Sequence, residues 1–148
     1  MLKLAAKEVF STMLNMNLEF ETSNLVQLNG EMHVAGAVGF TGQFNGMVYL
    51  YTGAAFATEI TSSLLGIPGH EIHGNEMVND AVGELTNMLA GMIKSRLCDK
   101  GVTCVISIPA VVRGKSFQID SVSSTEKHTV YFRHGKNIAM AEIMVKPS

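Results

Sequence analysis

Between Asn79 and Leu97 the stretch NDAVGELTNMLAGMIKSRL sets two carboxylates (Asp80, Glu84), a carboxamide (Asn87), a glycine (Gly91) and an ammonium (Lys94) at steps of four, three, four and three residues. On a helix turning about 100 degrees per residue, these five share one arc about 80 degrees wide. Met77, Val78, Ala81, Val82, Leu85, Met88, Leu89, Met92 and Ile93 fill a separate arc of about 160 degrees, which is the core side. The polar line therefore faces outward as a unit. An ordinary solvated face is one reading, with Asp80 placed near the N-terminus to favour the macrodipole. Two residues argue for a face that something approaches closely. Asn87 is a poor helix former whose side chain competes for backbone hydrogen bonds, and Gly91 costs roughly 1 kcal/mol against alanine while clearing space beside the amide.

Other chemistry-bearing residues carry less. His70 and His73 in GHEIHG are three apart and could share a metal, but the glycine-flanked stretch reads as loop and lacks the HExxH order of a helical zinc site. Gly114-Lys115-Ser116 ends like a phosphate-binding loop, yet Pro109 stands where the opening glycine belongs, so it reads as a turn. Gly36, Gly39, Gly42 and Gly46 lack the strand-to-helix setting of a dinucleotide fingerprint and suit tight turns or close backbone packing. No GxSxG elbow accompanies the serines.

The elements that must position the polar line are legible from period. Leu2, Ala5, Ala6, Val9, Met13 and Met16 recur at helical spacing, giving a first helix from Leu2 to about Met16. MHVAGAVGF and NGMVYLYT, separated by TGQF, read as a hairpin or two adjacent strands. AAFATEITSSLLG returns to helical period and stops at Gly66, and the loop IPGHEIHGN leads into the helix quoted above, which ends near Lys100. Four strands follow: TCVISIP, KSFQIDSV, HTVYFRH and NIAMAEIMVK, the last two joined at Gly135. Segregated helices and strands predict an α+β layered fold, with long helices on one face of a largely antiparallel sheet, and the length suits one domain over 1–148.

Composition narrows the function. Hydrophobic residues make up 47% of the chain, charged residues 16%, and the formal net charge is -2 with lysines and arginines scattered, which argues against a nucleic-acid partner. Cys98 and Cys104 have no second pair to form a zinc or redox spacing and read as reduced thiols of a cytoplasmic protein. MLKLAAKEVF is interrupted by charge before any signal-like apolar run, and no apolar segment is long enough to span a membrane. The ten methionines suit core gaps or adaptable contact surfaces.

The arrangement Asp80-x3-Glu84-x2-Asn87, followed by Pro109 at the start of the next β region, closely resembles the signature of the CheC, CheX and FliY family of chemotaxis phosphatases. The likeness extends through VAGAVGFTGQFNGMVYLYT, the helix ending LLG and the closing strands. It implies a phosphatase acting on the aspartyl-phosphate of a CheY-like response regulator, in chemotaxis or a related two-component circuit. Glu84 would dock the receiver and Asn87 would orient the attacking water. Asp80 would support the site, Gly91 and Lys94 would belong to the partner-binding surface, and Pro109 would be structural. No cofactor is implied for this chain, because the receiver carries its own Mg2+. Some family members bear a second site on the first helix; here Glu8 is followed three residues later by Ser11 instead of asparagine, which implies one site and a pattern nearer CheX than CheC. The resemblance also implies a homodimer formed through sheet elements. NIAMAEIMVK, apolar on both faces, offers such a surface, and a central strand satisfies the same pattern. A rival reading is a non-catalytic response-regulator-binding or flagellar-switch module; retention of both Glu84 and Asn87 favours the enzyme.

Overall fold

A computed structural model describes residues 1–21, 32–114 and 126–147. Among these residues three α-helices, α1 (Leu2–Leu14), α2 (Ala54–Leu65) and α3 (Gly74–Asp99), accompany seven strands: β1 (Glu19–Glu21), β2 (His33–Gly42), β3 (Phe44–Gly53), β4 (Cys104–Ile106), β5 (Ala110–Gly114), β6 (Glu126–His134) and β7 (Asn137–Pro147). All pairings in the sheet are antiparallel, in the order β1-β6-β7-β3-β2-β4, with β5 also on β2. The α+β class expected from segregated elements is what forms.

Local signals set most boundaries. α1 stops at Leu14, two residues short of the expected Met16, because Asn15 turns into the left-handed region at φ 54° and Met16 N–H closes back on the Phe10 carbonyl. Met13, expected on the core side, is exposed, while Phe10 and Leu14 take the inward positions. Gly66 ends α2 in the same left-handed geometry. Of the two arrangements expected for β2 and β3, the hairpin forms, and Gly135 makes the turn between β6 and β7. The strands β1 and β5 were not legible as separate elements, being short; the expected strand KSFQIDSV and the Lys115-Ser116 pair lie outside the described residues.

One face of the sheet carries Val38, Phe40, Val48, Leu50, Phe132, Ala139, Ala141 and Ile143, and the three helices bury it. Phe10 stands edge-on to Phe132 at 5.2 Å and near Phe56 at 6.2 Å, so α1 and α2 share one aromatic joint over the sheet. Helix α3 comes very near the sheet at Gly36. A Cβ there would lie 2.0 Å from Thr86 Oγ1, so only a hydrogen lets α3 cross β2 at that height. The close packing expected of these glycines is thus real at Gly36.

β7 lies between β6 and β3, and its apolar faces follow from that central place. Both its edges are already paired. On the face away from the helices, Glu142 is only 4% exposed, opposite Tyr49 on β3 and Thr129 on β6. Its carboxylate accepts from the Thr129 hydroxyl at 3.3 Å and faces Lys127 at 3.7 Å, partners that a buried charge needs. Burial, then the nearby Glu142 charge, raises the pKa of Tyr51 well above its ordinary 10.0, and the same causes raise Tyr49.

Gly36→Ala should lower stability by about 1–3 kcal/mol through overpacking against Thr86, read as a reduced urea midpoint with an unchanged slope. The tyrosine shifts give a second expectation. The unfolded chain releases its tyrosyl protons near the ordinary value while the folded chain retains them, so stability is fully present below pH about 10 and falls as the pH rises above it. Denaturation midpoints should hold level from pH 8 to about 10 and decline toward pH 11, and Tyr51→Phe should flatten that decline.

Candidate functional site

Small residues seat α3. Gly83, Thr86 and Ala90 are buried on the side that meets β2, β4 and β5, alongside the predicted Val78, Ala81, Val82, Leu85, Leu89 and Ile93. Met77, Met88 and Met92 are only half-buried, so the core arc is rotated toward the small residues relative to the apolar stripe. The helix begins at Gly74, inside the expected loop, with Glu76 in its first turn and Arg96 in its last, both of the sign that suits the dipole.

The polar line survives this rotation. Asp80 and Glu84 are exposed, and Asn87, Gly91 and Lys94 are half-buried on the same strip between the sheet edge and the other helices. Among the described residues, Glu84 and Asn87 have no hydrogen bond or ion pair from their side chains. One turn apart on a rigid element, a carboxylate and a carboxamide are held side by side with their polar atoms open to a partner. Among the described residues nothing lies within 4 Å of a Cβ built on Gly91, so no packing among them requires glycine there.

A second element flanks the strip. β4 and β5 both pair with β2, and they amount to one edge strand interrupted between Ile106 and Ala110. Two residues of β2, Val38 and Gly39, stand opposite three, Ser107, Ile108 and Pro109, which is a bulge of one extra residue. Ser107 fixes it: its backbone N–H donates to the Gly39 carbonyl at 2.9 Å, and its hydroxyl accepts the Gly39 N–H at 2.8 Å and donates to the Ile108 carbonyl at 3.0 Å. Pro109, lacking a donor, fits at such an edge bulge. Its ring lies 3.7 Å from where a Gly83 Cβ would stand, and Val111 lies at 3.3 Å. Nearer the start of α3, Arg113 Nε donates to Asn79 Oδ1 at 2.5 Å. The edge strand is thereby locked against α3 at Asn79 and Gly83. Ser107 and Ile108 had no signal in the sequence, because a bulge is defined by its partner strand.

The remaining sequence candidates lie elsewhere. His70 sits in a 3-10 turn, Gly69–Glu71, and His73 caps α3; both are exposed, and no group of three potential ligands forms among the described residues. On the first helix, Glu8 is paired with Arg96 of α3 at 2.6 Å, and the Ser11 hydroxyl donates to the Glu8 carbonyl. Cys98 is exposed and Cys104 buried, both free. A cavity of about 760 Å³ opens between the start of α1, the end of α3 and the sheet, lined by Leu2, Phe44, Ile93, Leu97 and Val145, and contains none of the polar line. No helix among the described residues is long and apolar enough to cross a membrane.

The family model described as chemotaxis phosphatase CheX matches residues 34–133. Among solved structures, a CheX chemotaxis protein from Vibrio vulnificus superposes with a TM-score of 0.82 at 26% identity, covering 98% of this chain and 96% of that one. A CheC-like superfamily protein from Shewanella sp. PV-4 gives 0.78 at 31% identity, over 98% and 94% of the two chains. CheX of a CheX–CheY–BeF3–Mg2+ complex from Borrelia burgdorferi gives 0.74 at 20% identity, over 98% and 95%. No curated protein matches the sequence.

Proposed function

Because the chain belongs to the CheX family of chemotaxis phosphatases, we propose that it hydrolyses the aspartyl-phosphate of a CheY-like response regulator, with Glu84 docking the receiver and Asn87 orienting the attacking water. The observation that carries this reading is the pair itself: a carboxylate and a carboxamide one turn apart on α3, both free of partners among the described residues. A CheX relative captured with CheY, BeF3 and Mg2+ supports the choice of partner.

The chemistry asks little of the chain. An acyl phosphate is already activated, and the receiver brings its own Mg2+ to offset phosphate charge, so no cofactor is required of this protein. Water attacks phosphorus, the bond from phosphorus to the aspartyl oxygen breaks, and the products are the receiver carboxylate and inorganic phosphate, with the surplus proton passing to solvent. Asn87 can accept from that water and donate to a phosphoryl oxygen without titrating near neutral pH. Holding water in line for a hundredfold acceleration corresponds to about 2.7 kcal/mol, within the reach of orientation alone. Glu84 supplies a fixed charge for a cation of the receiver. Asp80 stands one turn before it in support, and Gly91 with Lys94 continues the contact surface. With Glu8 held by Arg96 and Ser11 in the place of an amide, α1 lacks a second such pair. The same reading carries a cytoplasmic location and a homodimer whose contact cannot use the already paired edges of β7.

Asn87→Ala should lower the rate of phosphate release at least about tenfold while receiver affinity stays within about twofold. Glu84→Gln should instead raise KM. Both are read by phosphate release from a phosphorylated receiver and by titration binding; hydrolysis at the original rate in Asn87→Ala would leave the chain as a binding module.

A further inference from the structure

The bulge between β4 and β5 exposes Ile108 to 88%, more than any other large apolar residue among those described. Three features set it apart from an incidental surface residue. It is not on a loose loop, since Ser107 ties the bulge to both backbone groups of Gly39 and holds the Ile108 carbonyl. It precedes Pro109, whose ring rests against Gly83, so the segment meets α3 one residue before Glu84 in the chain. Finally, the exposed strip of the helix that Pro109 meets is polar, with Asp80, Glu84, Asn87 and Lys94, so Ile108 adds an apolar point to a polar surface.

We propose that Ile108 is the apolar anchor that the chain inserts against the surface of a phosphorylated receiver domain, next to the phosphoaspartate. The assignment rests on the phosphatase reading for its partner. A side chain held in place before binding loses little freedom on contact, so its burial goes largely into affinity. Ile108 is thus a specificity residue: receivers with an apolar patch beside the phosphorylation site fit, and those with a charged one do not. Val105, 66% exposed on β4, supplies the control, because its strand neighbour Cys104 points into the core and Val105 therefore projects from the opposite face of the sheet, away from α3.

The test is titration of a CheY-like receiver saturated with Mg2+ and beryllofluoride, which needs no turnover, paired with phosphate-release kinetics on the phosphorylated receiver. Ile108→Ser should weaken binding and raise KM roughly tenfold or more with kcat within about twofold. Ile108→Leu should stay within about twofold of the parent, and so should Val105→Ser. Light scattering should show the same oligomeric state for all four proteins. Unchanged affinity in Ile108→Ser overturns the anchor, as does an equal loss in Val105→Ser. A change of oligomeric state confined to Ile108→Ser overturns it in favour of a second copy of the chain. Weakened binding in a protein that releases no phosphate would uphold the anchor and remove the hydrolytic reading; no binding by the parent chain would remove both.

Discussion

The crossing of α3 over β2 at Gly36 is the contact on which the rest of the architecture depends. Thr86 sits so close to the strand that a methyl group at position 36 would overlap its hydroxyl, and that hydroxyl turns back onto the Val82 carbonyl of its own helix at 2.7 Å. With a larger residue at either position the helix would ride higher over the sheet. Gly83 would then lose its fit against Pro109 and Val111, and the edge bulge would no longer be held against α3. A helix that accepts glycine and threonine on one side sacrifices propensity there, and with alanine beside them it gives up side-chain volume, in exchange for a fixed height and rotation. Those two quantities decide which way a carboxylate and a carboxamide point.

Edge strands give the second layer of organisation. A continuous β4–β5 strand would have presented a regular row of open backbone groups along the sheet boundary. One extra residue breaks that row, gives Pro109 a place where its missing donor does no harm, and turns Ile108 outward. The hydroxyl of Ser107 compensates by meeting the Gly39 N–H that the interrupted ladder would leave unpaired. The strip on α3 and the bulge on the sheet edge are therefore one construction, built from segments about twenty residues apart in the chain.

The far face of the sheet follows another logic. Tyr49 and Tyr51 stack at 5.8 Å beside the buried Glu142, a charged residue in an otherwise apolar strand. Its partners come from β6 across one strand pairing, with Thr129 directly opposite, so the carboxylate is tolerated because the ladder brings a hydroxyl and an ammonium to it. The run NIAMAEIMVK looks apolar on both faces because β7 is central, and the glutamate within it is the point where periodicity alone misleads.

What the sequence determined by itself was everything with a local period. The three helices, the β2–β3 and β6–β7 hairpins, the stops at Gly66 and Gly135 and the shared arc of Asp80, Glu84, Asn87, Gly91 and Lys94 follow from spacings of three, four or two residues, which act within one or two turns of chain. Tertiary structure alone decided the rotation that buries Gly83, Thr86 and Ala90 in preference to the methionines, the central place of β7, the burial of Glu142 and the bulge at Ser107–Pro109. Each of these is set by a partner distant in sequence. No period within a segment encodes how high a helix sits on a sheet or how many residues the opposite strand will offer, because both are settled only when the two surfaces meet.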